Sequence, residues 1–235
     1  MYIGYGNGIQ SLLYLALLGV LVLSLVAQGK VQRTFQKYSQ ERAESGKTAA
    51  QMASELLDRY RGEYIQIEPV QGRLTDHVNP KEKTVGLSEA VYGQSSVAAL
   101  AVAAHEIGHV LQYQEDYAPI RVRNAILPVA SIGSSIAPWI VILGVLFNSF
   151  NIAIIGVVLF GAVLLFQLAT LPAEFNASSR ALRMLEEGNY VSYTQSDDAR
   201  RVLRAAAMTY VWATVGALIS FLRLLLIASS SRRRD

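Results

Sequence analysis

Residues 124–173 read NAILPVASIGSSIAPWIVILGVLFNSFNIAIIGVVLFGAVLLFQLATLPA, fifty positions without one charged side chain. A helix at the surface of a soluble domain shows water a polar face at every turn, so a run this long and this apolar belongs in lipid. The polar interruption Asn148, Ser149, Asn151 falls near its middle. It leaves two segments, each long enough at about 1.5 Å per residue to cross a hydrocarbon core of roughly 30 Å. The stretch predicts a helical hairpin through a bilayer, and an even number of crossings returns the chain to the side it left.

Working outward, residues 9–28 are a further twenty without a charge, dense in Leu, Val and Ala, with Lys30 and Arg33 following directly. A cleaved leader is the competing reading. Residues 1–8 lack Lys and Arg, however, and the apolar run exceeds the core of about 7–15 residues that a leader uses. An uncleaved transmembrane helix is expected. Residues 209–229 form a weaker apolar stretch with Arg223 near its end, from where a long side chain can snorkel to the headgroups.

The chain therefore divides into an N-terminal segment and helix (1–28), a polar piece (29–123), the hairpin (124–173), a second polar piece (174–208) and an apolar helix with a basic tail (209–235). The two polar pieces total 130 residues, enough for one modest core on one membrane face. The fold class is a mainly α membrane protein, with three to four transmembrane helices and a small α+β domain.

Composition agrees and narrows the chemistry. Hydrophobic residues make up 52% of the chain and charged residues 17%, too apolar for an ordinary soluble domain. The net charge of +3 comes from arginines flanking apolar segments and not from a basic stripe with interleaved aromatics, so the expected partner is the lipid bilayer and not nucleic acid. With no cysteine there is no disulfide, no thiolate metal site and no thiol nucleophile. Any metal must be held by Asp, Glu or one of three histidines.

Within the polar domain, Thr48 is placed to cap a helix whose apolar Met52, Leu56 and Leu57 recur at helical spacing. Residues 64–70 alternate and, with 84–87, suggest two short strands separated by a loop over 73–83. Ser88 reads as opening a helical region, and residues 95–114 as a long Ala-rich helix. Glu174, two residues after Pro172, reads as opening another helix that runs to Gly188.

The Ala-rich helix carries His105-Glu106-Ile107-Gly108-His109, an HExxH pattern. Residues four apart on a helix share a face about 5–6 Å apart, so both imidazoles can reach one Zn²⁺. The ion would acidify a water to a pKa of about 7, and Glu106 would take its proton as it attacks a carbonyl. The spacing points to a zinc hydrolase that cleaves peptide bonds, with one Zn²⁺ per chain and a polypeptide substrate. A third protein ligand is needed. Glu115 stands where an extended HExxHxxGxxH motif places one, but Gln112 occupies the position of the glycine that turns the chain back. Glu174 on a second helix is the commoner solution.

The stretches 74–80, Leu87-Ser88, Ala103-Ala104-His105-Glu106-Ile107-Gly108-His109 and 174–181 together resemble the YugP-like neutral zinc metallopeptidases, a bacterial membrane family. The resemblance covers nearly the whole chain. It implies a multi-pass protein of the cell membrane, a zincin-like catalytic domain, the ligands His105, His109 and Glu174, and Glu106 as base. The Glu174 helix is also similar to that of HtpX-type and CAAX-type membrane proteases, in which an Asp four residues after the Glu orients a histidine. Ser178 stands there in this chain, and it orients an imidazole less firmly than a carboxylate would.

His77 lies in Asp76-His77-Val78-Asn79-Pro80, a loop with turn chemistry. On the residues alone, a solvated loop histidine and an active-site rim histidine are equally good readings. The resemblance favours the rim, with His77 donating to the oxyanion, Asp76 orienting it, and metal ligation as the alternative role. Lys and Arg within 30–47, 121–123 and 180–204 all flank the spans on the polar-domain side, which places that side in the cytoplasm. The arginines of 232–234 oppose this if 209–229 crosses fully. Two other functions remain in view, a non-catalytic membrane scaffold with a structural zinc and a transporter, and the second is disfavoured because no span pairs charges at its midplane.

Overall fold

A computed structural model of the chain describes residues 3–60 and 65–231. Tyr64, where the sequence starts its first strand, and the arginines of 232–234 lie outside the described residues. The element order is α1 (Ile3–Tyr38), α2 (Ala49–Arg59), β1 (Gln66–Val70), β2 (His77–Asn79), β3 (Thr84–Ser88), α3 (Val97–Gln114), α4 (Ala118–Leu146), α5 (Phe150–Glu187) and α6 (Tyr193–Ser231). The protein is a mainly α membrane protein with a small α+β part. It separates into two compact units, one made of Met1–Val26, Arg121–Leu171 and Thr209–Asp235, the other of Ala27–Ile120 and Pro172–Met208.

The first unit consists of apolar helix. Among the described residues four helices are long and apolar enough to cross a membrane, Gly8–Tyr38, Ala118–Leu146, Phe150–Glu187 and Tyr193–Ser229. Leu12, Leu15, Trp139, Leu146, Phe147 and Val158 are largely exposed, which suits a surface facing lipid. A smaller core of Ala137, Val141, Ala153, Val157 and Phe160 joins α4 to α5. Small residues let these helices approach, the usual solution where lipid removes the hydrophobic drive for association. Arg223 has an aromatic partner within this unit. Its guanidinium stacks 4.1 Å over the Tyr14 ring of α1, which gives the charge a partner inside the unit.

The second unit has a water-type core built from Met52, Leu56, Val85, Leu87, Leu100, Ile107, Met184 and Leu185. Thr48 caps α2 as the sequence suggests, its hydroxyl accepting from the Gln51 backbone N–H while the Gln51 side chain accepts from the Thr48 backbone N–H. Ser96 caps α3, its hydroxyl accepting from the Ala99 backbone N–H. The sheet order is β1-β3-β2, with β1 parallel and β2 antiparallel to β3.

Three local readings change. The loop over 73–83 contains β2, because the Asn79 carboxamide oxygen accepts from the Lys81 and Glu82 N–H groups and closes a β2–β3 hairpin. Ser88 ends β3 instead of opening a helix, since both its N–H and its hydroxyl are committed to Asp76. Glu174 does not open a helix either. α5 runs unbroken from Phe150 through Pro172 to Glu187, and its end is set by Asn189 at φ 52°. Proline is tolerated inside membrane helices where tertiary packing supports the backbone. Gly188 is instead required because a Cβ there would sit 2.2 Å from the Tyr190 ring.

Candidate metal centre

The site grows from α3. His105 and His109 share one face, their ring centroids 4.7 Å apart. Ile107, between them in sequence, is fully buried in the core and so fixes how the helix is rotated. Gly108 has another task. A Cβ on it would lie 2.7 Å from the Ala177 carbonyl oxygen, so only glycine lets α5 pass this close to α3.

That approach carries Glu174 to the histidines. Its Oε2 is 3.3 Å from His105 Nε2 and 3.7 Å from His109 Nε2. The three candidate ligand atoms all lie within 4.8 Å of one another. Donors held tetrahedrally around Zn²⁺ at about 2.0–2.1 Å stand about 3.3 Å apart, so these side chains fit the ion with small adjustments. Two imidazoles and one carboxylate leave one position open, the pattern of catalytic and not of structural zinc.

Each histidine turns its second nitrogen to a partner. His109 Nδ1 lies 3.0 Å from Gln112 Oε1, and His105 Nδ1 lies 3.2 Å from the Ser178 hydroxyl. Such contacts leave Nε2 free for a metal. Glu115, the competing third ligand, is engaged elsewhere: its carboxylate accepts both Nη groups of Arg180 at 2.8 and 2.6 Å. That fork holds the Glu115 carboxyl below its ordinary range.

Glu106 is buried beside the three candidate ligands. Burial pushes its carboxyl up, the two histidines oppose the shift, and Asp76 adds to it. Burial also disfavours a charged His109, but the adjacent Glu174 outweighs it and leaves the imidazole above its ordinary value.

On the sheet side, Asp76 accepts from the Ser88 N–H at 2.7 Å and from the Ser88 hydroxyl at 3.1 Å. Burial still raises its carboxyl, against those two bonds. These bonds tie Asp76 to β3 and not to the His77 ring. His77 is exposed, donates from Nδ1 to the Thr75 carbonyl at 2.9 Å, and rests on Gly86, where a Cβ would lie 2.8 Å from its Cε1. It stands outside the His105, His109, Glu174 group. Sequence reasoning missed Gly108, Gly86, Asn176, Arg180 and the use of Gln112. The one available signal was a glycine inside a helix, which costs about 1 kcal/mol against alanine and so asks for a packing reason.

Residues 13–229 match the family model described as "Putative neutral zinc metallopeptidase". The chain is 43% identical over 216 residues to the "Putative membrane protease YugP" of Bacillus subtilis (strain 168), an alignment that covers 92% of this chain and 96% of that protein. No solved structure matches it. The chain belongs to the family described as "Putative neutral zinc metallopeptidase".

Proposed function

We propose that this chain is a membrane-anchored zinc endopeptidase that cuts membrane proteins or chains presented at the membrane. One observation carries the reading: two imidazole nitrogens and a buried carboxylate at zinc donor spacing, with a second buried carboxylate, Glu106, beside them. When bound, zinc supplies a Lewis acid that acidifies water and polarises the scissile carbonyl. The chain's own groups do the rest. His105, His109 and Glu174 hold the ion. Glu106 takes the proton of the attacking water and returns it to the leaving amine, and the burial that raises its carboxyl makes it a better-matched base. His77 is the oxyanion donor in this reading, its ring held by the Nδ1 bond to the Thr75 carbonyl.

The substrate class follows from chain connectivity. Glu174 comes three residues after Leu171, where the apolar unit gives way to the polar one within a single helix. The catalytic side is cytoplasmic by the distribution of Lys and Arg. Since the chain has no cysteine, Glu44→Cys gives one exposed label site on that unit; labelling of intact cells by an impermeant reagent would reverse the orientation.

The test of function is exhaustive chelation of the purified protein in detergent, followed by zinc. Cleavage should vanish and return, and Glu106→Gln should stay inert. Cleavage that survives both treatments would belong to a contaminant. A chain that binds zinc but cuts neither unfolded casein nor a peptide library would be the scaffold.

A further inference from the structure

Gln112 is fully buried one turn below His109, and its amide can be oriented without ambiguity. One end of the amide lies 2.7 Å from the Ala173 carbonyl oxygen and 2.9 Å from Asn176 Oδ1. The backbone carbonyl can only accept. Asn176 presents its oxygen there because the same atom receives Arg180 Nε at 2.7 Å, and a guanidinium can only donate. Arg180 is itself fixed by the two-pronged bond to Glu115. The amide end facing Ala173 and Asn176 is therefore the NH₂ group, and the end facing His109 is the oxygen.

That assignment decides the state of the ligand. An oxygen 3.0 Å from His109 Nδ1 requires a proton on Nδ1, which in the neutral ring leaves the lone pair on Nε2, the nitrogen aimed at Glu174. The chain Glu115–Arg180–Asn176–Gln112 thus ends on the ring at the correct nitrogen. His105 has no such device; a single hydroxyl, able to donate or accept, stands against it.

We propose that Gln112 is a positioning residue for the metal site, its amide locked by Ala173 and Asn176 so that His109 is held as the tautomer that offers Nε2 to the metal. The inference rests on the reading that His109 is a ligand. Outer partners of this type are worth about 10- to 100-fold in metal affinity. A residue that only joined α3 to α5 would weaken the metal-free and zinc-loaded proteins alike; a positioning residue also reduces the stabilisation that zinc adds.

The experiment measures zinc dissociation by chelator competition, together with unfolding midpoints with and without zinc, in the full-length protein in detergent. Gln112→Ala should weaken zinc binding about 10- to 100-fold and shrink the zinc-induced rise in midpoint. Gln112→Glu keeps an acceptor for His109 but loses both donors. It should lower the metal-free midpoint while restoring zinc affinity to within several-fold of the parent. Zinc affinity unchanged within threefold in Gln112→Ala, or no recovery in Gln112→Glu, overturns the proposal. If Gln112→Ala does not accumulate, Asn176→Ala releases the amide from one of its two anchors and should weaken zinc binding several-fold; no change there also overturns it. His109→Ala in the same titration separates the two readings. If it binds zinc like the parent, the assignment of the site itself is wrong, whatever Gln112 does.

Discussion

The candidate metal centre and the β2–β3 hairpin are built on different principles. On the helical side, His105, His109 and Glu174 are largely buried, and each histidine has a partner on its second nitrogen. On the sheet side, His77 is exposed and held by one carbonyl two residues away. Holding an ion needs donors fixed within a few tenths of an ångström, which burial and hydrogen bonding supply. Contacting a passing polypeptide needs access, which an edge strand supplies. The contrast teaches that one short motif and one hairpin, packed together through α3, can give a buried, fixed group and an exposed edge.

The largest effects should come from breaking the helical side. Glu106→Gln removes the base but no candidate ligand, so turnover should fall about 10⁴-fold while zinc content stays near one per chain. Glu174→Ala should release most of the zinc, whereas Glu115→Ala should keep it bound, its affinity lowered only through Arg180. The reverse pattern, measured by metal analysis of both variants, would exchange the two glutamates' roles.

The sheet side should respond differently. His77→Ala should retain zinc and lose about 10²- to 10³-fold in turnover, the scale of a single oxyanion donor. Loss of zinc would make His77 a ligand, and unchanged turnover would return it to a solvated loop residue. The steady-state measurement must be paired with metal content, because activity alone does not separate the first two results.

Much of this was legible in the sequence because it depends on composition and short spacing. Absent charge marked the spans, the i,i+4 histidines marked the face of the candidate metal group, and Thr48 marked a helix start. What stayed hidden depends on which helix faces which. Pro172 carries a local signal for a helix start, and the packing of the continuous α5 overrides it. Ser88 carries a capping signal, but a carboxylate twelve residues earlier claims it. Gln112 looked like a failed glycine, because its partners Ala173 and Asn176 lie more than sixty positions away.

The junction between the elements offers a smaller effect. In Gly108→Ala the added methyl meets the Ala177 carbonyl, and separating α3 from α5 to admit it should cost about 1–3 kcal/mol. Zinc affinity should fall with the unfolding midpoint, since Glu174 and Ser178 ride on the displaced helix. A midpoint unchanged from the parent would show that α5 can shift without strain.

The smallest effect concerns the ion pair of Lys47 and Glu55, which joins the segment before α2 to α2 itself and touches none of the candidate ligands. Lys47 Nζ donates to Glu55 Oε1 at 2.6 Å, and the Tyr190 hydroxyl donates to Glu55 Oε2 at 3.0 Å. The Lys47 hydrogen bond holds the Glu55 carboxyl below its ordinary value of 4.5. A depressed carboxyl stabilises the fold above that ordinary value, and the contribution is lost as pH falls through the lower folded value. Tyr190 behaves oppositely: burial, helped by Glu55, pushes its hydroxyl up to about 12 from 10.0. Its contribution is complete below pH 10.0 and lost as pH rises towards about 12. Because the Lys47 and Glu55 side chains are 42% and 44% exposed, water and salt screen the pair, and it should be worth about 0–1 kcal/mol. Glu55→Gln should therefore flatten the acid limb of the midpoint-against-pH curve while zinc affinity stays at the parental value. A change in zinc affinity would mean that this outer pair reaches the metal site, and the separation between a buried, fixed centre and a screened exterior would fail.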